Sequence, residues 1–149
     1  MDVVWAATMA MAICYITDGR GYSQRTARGP RPRVPAVLVV DDEATVRDMV
    51  RDVLEDEGLR VHTATSGREA IILAIRERPD LIVTDLMMPG MTGRTLRLHL
   101  QAEPRTRHIP VMLMTAGGRL PVEDTFAGYI AKPFDIDDFL NEVLSRITL

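Results

Sequence analysis

A chain of 149 residues is long enough to bury a core without disulfide or metal staples, and it falls within the usual size of one domain. Its 46% apolar and 26% charged residues are ordinary globular values, and a formal net charge of −3 is too small to advertise a nucleic-acid surface. One cysteine, Cys14, cannot form an internal disulfide, and no apolar run reaches the roughly 18 residues of a membrane span; a reducing, cytoplasmic setting without membrane insertion is expected.

Composition changes sharply near residue 34. The apolar stretch Val3 to Ile16 has the length of a signal-peptide core, but it follows Asp2 rather than a basic segment, and no small-residue cleavage site follows it. Gly19 to Pro35 is rich in Gly, Pro and Arg and has little apolar surface to bury. Residues 1–35 therefore read as a disordered N-terminal extension. A partner-binding or lipid-touching helix and an export signal are the two lesser readings.

From Ala36 the pattern becomes regular. Ala36-Val37-Leu38-Val39-Val40 is a continuous apolar run ending in Asp41-Asp42, as expected of a strand buried on both faces. Val46, Met49, Val50, Val53 and Leu54 then recur at helical spacing, and Gly58 supplies the stop. Leu59 to Ala64 reads as a second strand. Ser66-Gly67-Arg68-Glu69 has the form of a capping box, in which each end's side chain satisfies the other's backbone amide. The helix behind it passes through Ile71 and Ile75 and must end before Pro79.

Leu81-Ile82-Val83-Thr84 is another buried-strand run, and it too ends in an aspartate, Asp85. Pro89, Gly90 and Gly93 shape the loop before a helix from about Arg94 to Ala102, whose buried side is expected at Leu96 and Leu100, with Leu98. Arg94 and Arg97 on it read as solvated, their stems free to lie along apolar surface. Ile109 to Thr115 is a fourth strand and Tyr129-Ile130-Ala131 a short fifth. The last helix starts from Asp135 as N-cap, with Ile136, Phe139, Leu140, Val143, Leu144 and Ile147 on one face.

Strands alternating with helices at this spacing mean a doubly wound parallel sheet, since parallel neighbours need a helical crossover. The flavodoxin-like order 2-1-3-4-5 fits right-handed crossovers and puts the first and third strands side by side, with ligands beyond their carboxyl ends. Asp41, Asp42 and Asp85 all lie there. Read singly, Asp41 is an ordinary turn residue and Asp42 an ordinary helix N-cap. Together, three crowded carboxylates call for a compensating cation, and an all-oxygen set suits magnesium. Thr115 and Lys132, at the ends of the fourth and fifth strands, add a hydroxyl and a cation. A carboxylate nucleophile, a divalent ion, a lysine and a hydroxyl are what phosphoryl transfer requires.

Val39-Val40-Asp41-Asp42-Glu43, the run Thr84 to Gly93, Met114-Thr115-Ala116 and Lys132-Pro133-Phe134 resemble, in order and spacing, the motifs of response-regulator receiver domains. The resemblance covers residues 36–149. It implies that Asp85 accepts a phosphoryl group from a sensor histidine kinase or histidine phosphotransfer protein. It implies that Asp42, Asp85 and the backbone carbonyl of Met87 ligate magnesium, with Asp41 acting mainly through water. Lys132, the Thr115 hydroxyl and the Ala116 backbone N–H would bind phosphoryl oxygens. Tyr129 matches the family's aromatic switch position, paired with Thr115; its plainer reading is an ordinary edge-strand aromatic. Such a domain catalyses its own phosphorylation without being a turnover enzyme.

The segment from Thr115 to Lys132 is short for that family and holds Gly117, Gly118, Pro121 and Gly128, so a shortened or irregular fourth helix is expected there. Met87, two residues after the acceptor, is placed to slow loss of the phosphoryl group. His62, His99 and His108 share no metal-ligand spacing. A non-phosphorylated interaction module of the same fold is one rival reading. A magnesium-dependent phosphohydrolase is another, though Leu86, Met87 and Met88 offer no general acid or base beside Asp85. With the last helix ending at Leu149, output is expected through a downstream protein target or homodimerisation rather than direct nucleic-acid contact.

Overall fold

The computed structural model describes residues 32–116 and 126–147. Five parallel strands, β1 (Ala36–Val40), β2 (Arg60–Ala64), β3 (Leu81–Asp85), β4 (Val111–Thr115) and β5 (Gly128–Ala131), form one sheet in the order β2-β1-β3-β4-β5. The helices are α1 (Ala44–Asp56), α2 (Gly67–Glu77), α3 (Gly93–Ala102) and α4 (Ile136–Arg146). This is the doubly wound, flavodoxin-like order that the strand spacing predicts. Residues 1–31 and the segment expected to hold an irregular helix, 117–125, lie outside the described residues.

Strand alternation sorts the core into two faces. Val37, Val39, Leu81, Val83, Met112, Met114 and Ile130 join Val50 and Leu54 of α1 and Phe139 and Val143 of α4 in one cluster. Leu38, Val40, Ile82, Val111 and Leu113 join Ala70 and Ala74 of α2 and Leu96 and Leu100 of α3 in the other. Every residue of β1 and β4 is buried, which is why those runs are apolar rather than alternating, but for Thr115 at the end of β4.

Helix ends follow local chemistry, with some departures from expectation. At the end of α1, Gly58 takes φ +81°, its N–H donates to Glu55 O, and the Leu59 N–H donates to Leu54 O. That pair of bonds is a Schellman motif, closed by the buried Leu54 and Leu59 side chains. The N-cap of α1 is Glu43, not Asp42, and its side chain makes no capping bond. At α2, Ser66 Oγ accepts from the Glu69 N–H as expected, but the Glu69 carboxylate reaches one residue further back, to the N–H and hydroxyl of Thr65. In α3, Leu98 does not join the buried side: it is 65% exposed, a rotation away from Leu96 and Leu100. Ile136 and Leu144 likewise sit at the exposed margins of the α4 stripe. Before β1, Arg33 bonds the carboxylate of Asp80, which also accepts the Ala36 N–H, so the entry strand is fixed at its base.

Candidate functional site

The site lies beyond the carboxyl ends of β1, β3, β4 and β5. The sheet ladder runs one residue past three of these strands: the Asp41 N–H donates to Ala64 O, the Leu86 N–H to Met114 O, and the Lys132 N–H to Thr115 O. Alternation therefore continues, and Asp41, Asp85 and Lys132 carry the parity of the α1/α4 face, while Thr115 and Tyr129 carry the parity of the other.

Asp41 is fully buried, a position that a carboxylate occupies only with partners. Its Oδ2 accepts from Lys132 Nζ at 2.7 Å and its Oδ1 from the Glu43 N–H at 2.9 Å. Its backbone carbonyl accepts from Arg47 Nη1 at 2.8 Å. Asp42 is exposed and accepts no hydrogen bond among the described residues. Asp85 is half-buried, with Oδ2 3.7 Å from Lys132 Nζ, so the lysine sits between two carboxylates and closer to Asp41.

The Asp85 carboxyl is held above its usual range. Burial is the largest cause; Lys132 opposes it, Asp41 adds to it, and the backbone amides of Met87 and Leu86 oppose it. Oxygen atoms of Asp41, Asp42 and Asp85 all lie within 4.8 Å of one another. An all-carboxylate set of that size fits a hard divalent cation such as magnesium, which takes few protein oxygens and keeps its waters.

Local packing holds the groups in place. The N–H of Gly93 donates to Leu86 O at 2.8 Å, and a Cβ there would stand 2.6 Å from the carbonyl oxygen of Asp85. Glycine is what lets α3 start directly against the strand that carries Asp85. On the other side, Phe134 stacks on Phe139 of α4 with ring centroids 5.0 Å apart, anchoring the turn after Lys132; the Lys132–Pro133 peptide is cis.

The remaining predicted residues fall around this centre. Thr115 is buried at the end of β4, with Ala116 exposed beside it. Tyr129 is half-buried opposite Leu113, its ring centroid 6.1 Å from that of Phe126. Met87 is 70% exposed at the rim. His62 faces Glu77 at 3.9 Å, and His99 and His108 are exposed on other elements, outside the centre. Sequence reasoning missed Arg47. The signal was available: a cation one turn into a helix stands at the end where the macrodipole favours anions.

Comparison with known proteins agrees with this geometry. Residues 37–144 match the family model of the response regulator receiver domain. The chain is 36% identical over 117 residues to the DNA-binding dual master transcriptional regulator RpaA of Synechocystis sp., a match covering 74% of this chain and 48% of that protein, so the chain spans about half the length of that relative. It is 33% identical to the sporulation initiation phosphotransferase F of Bacillus subtilis, covering 76% of this chain and 94% of that one. The structure of the chemotaxis response regulator CheY4 of Vibrio cholerae superposes with a TM-score of 0.71 at 29% identity, over 77% of this chain and all of that one. Among the described residues no helix is long and apolar enough to cross a membrane. A sheet of this order, with its carboxylates gathered at the switch point and a matching family model over most of its length, places the chain in the response regulator receiver domain family of two-component signalling.

Proposed function

We propose that the protein is a phosphoacceptor in which Asp85 takes a phosphoryl group from a sensor histidine kinase or histidine phosphotransfer protein, and that the product is read by a downstream protein target. The observation that carries this reading is Asp85 at the end of β3, with Lys132 Nζ 3.7 Å away and two further aspartates within reach of one cation. An Asp85 carboxylate oxygen forms the new bond to phosphorus as the phosphorus–nitrogen bond of the donor imidazole breaks and the imidazole leaves. Lys132, already between Asp41 and Asp85, meets the charge on the phosphoryl oxygens, and the Thr115 hydroxyl and Ala116 N–H supply further donors.

Asp42, Asp85 and the Met87 carbonyl would hold magnesium, with Asp41 acting through water. Bound there, the ion supplies neutralisation of the phosphoryl oxygens. Asp41 fits an indirect role, since both of its carboxylate oxygens already accept from Lys132 and Glu43. Thr115 and Tyr129 share one face of adjacent strands, which supports reading them as a switch pair in which Thr115 moves toward the phosphoryl group and Tyr129 follows. Residues 36–149 form the receiver in this reading, and residues 1–35 an extension to it.

The test is intact mass after incubation with acetyl phosphate, with and without magnesium, for the wild type and Asp85→Asn. The expected result is a magnesium-dependent gain of one phosphoryl group in the wild type and none in the variant. A folded wild type that gains nothing would leave the fold serving as an interaction module instead.

A further inference from the structure

Asp41 is held at every polar atom. Its N–H donates to Ala64 O, its two carboxylate oxygens accept from Glu43 N–H and Lys132 Nζ, and its carbonyl accepts from Arg47 at 2.8 Å. Asp42, the next residue, makes no side-chain bond among the described residues. What fixes Asp42 is therefore the backbone on either side of it: the Glu43 N–H that follows is bonded to Asp41 Oδ1, and the Asp41 carbonyl that precedes takes its own donor. The Asp41 carbonyl and the Asp42 nitrogen and Cα belong to one planar peptide unit, so a donor that fixes the direction of that carbonyl fixes the plane from which Asp42 departs.

Arg47 is that donor. It stands one turn into α1, its own N–H bonded to Glu43 O, and its half-buried side chain folds back toward the helix start, as long helical side chains do. Its charge also lowers the pKa of the Glu69 carboxyl, whose main partners are the N–H and hydroxyl of Thr65. The guanidinium thus stands near both the β1–α1 loop and the start of α2.

We infer that Arg47 is a positioning residue for the metal site, holding the Asp41–Asp42 peptide so that Asp42 presents its carboxylate beside Asp85. The inference rests on the magnesium reading above and concerns a residue that touches neither the ion nor the phosphoryl group. It opposes simple electrostatics in sign. A cation beside the β1–α1 loop repels a second cation brought there, so removing its charge alone would tighten magnesium binding. Removing its hydrogen bond loosens the peptide and weakens binding, as loss of an outer-shell partner does.

The full-length chain, isotopically labelled, is titrated with magnesium chloride at constant ionic strength while backbone amide resonances are followed. Wild type, Arg47→Gln, Arg47→Lys and Asp42→Asn are compared. Arg47→Gln is expected to raise the magnesium dissociation constant about tenfold or more, with amide shifts outside the β1–α1 loop unchanged in the free protein. Arg47→Lys, which keeps the charge and one donor, is expected to fall between Gln and wild type. Saturable binding in the wild type with equal or tighter binding in Arg47→Gln would overturn the inference alone. No saturable shifts in the wild type would overturn the magnesium reading and this inference with it.

Discussion

Burying Asp85 is expected to cost stability. Burial raises its pKa in the folded chain above that in the unfolded chain. Between the two values the folded state binds more protons, so stability falls as pH rises through that window and stays lowered above it. Below the unfolded value the group contributes nothing. Asp85→Asn, in the absence of divalent ions, is therefore expected to be more stable than wild type near neutral pH, with the gap shrinking as pH falls toward the ordinary carboxylate range. Urea unfolding of both proteins across that range checks it, and a gap that widens on acidification would contradict the burial argument. Met87 shows the limit of residue-scale reading: its place two residues after Asp85 is fixed by sequence, whereas its 70% exposure is set by how the loop after β3 packs.

At the scale of elements, the junction of β3 and α3 is the most constrained. Gly93 packs where a Cβ would stand 2.6 Å from the Asp85 carbonyl oxygen and 3.2 Å from the Leu86 Cα, both backbone atoms that cannot swing aside. Gly93→Ala is expected to destabilise the chain by about 1–3 kcal/mol, the usual cost of overpacking, and to slow phosphorylation by moving Asp85. By contrast, Gly67→Ala would meet only the Met91 side chain, whose Sδ and Cγ can swing aside, leaving its Cβ at 3.0 Å to give by a few tenths of an ångström, so a smaller cost than at Gly93 is expected. Thermal melts of the two variants, run beside the acetyl phosphate assay, separate these cases; a Gly93→Ala protein as stable and as reactive as wild type would refute the packing account. Sequence spacing placed every described element to within a few residues. It misplaced Leu98 because three apolar residues spaced by two, Leu96, Leu98 and Leu100, do not declare which of them face the sheet.

For the whole molecule, the described helices cover both faces of the sheet, α1 and α4 on one and α2 and α3 on the other, and both layers must be present for β1 and β4 to stay buried. Truncating a buried side chain in either layer should therefore weaken one shared cooperative unit. Phe139→Ala in the α1/α4 layer is expected to cost about 3–5 kcal/mol and Leu96→Ala in the α2/α3 layer about 2–5 kcal/mol. Each should unfold in a single urea transition reported alike by far-ultraviolet circular dichroism and by amide resonances from both layers; a layer that melts separately would show that the faces are independent. By itself the sequence determined the five strands, their parallel order and the gathering of Asp41, Asp42, Asp85, Thr115 and Lys132 at one end, because apolar runs and the groups that end them are local patterns and crossovers leave few topologies. Only the tertiary structure decided that Lys132 grips Asp41 more closely than Asp85, that Glu69 reaches Thr65, and that Arg47 holds the Asp41 carbonyl. Those outcomes turn on ångström differences, in one case between groups 91 residues apart, and no local periodicity encodes distances of that kind.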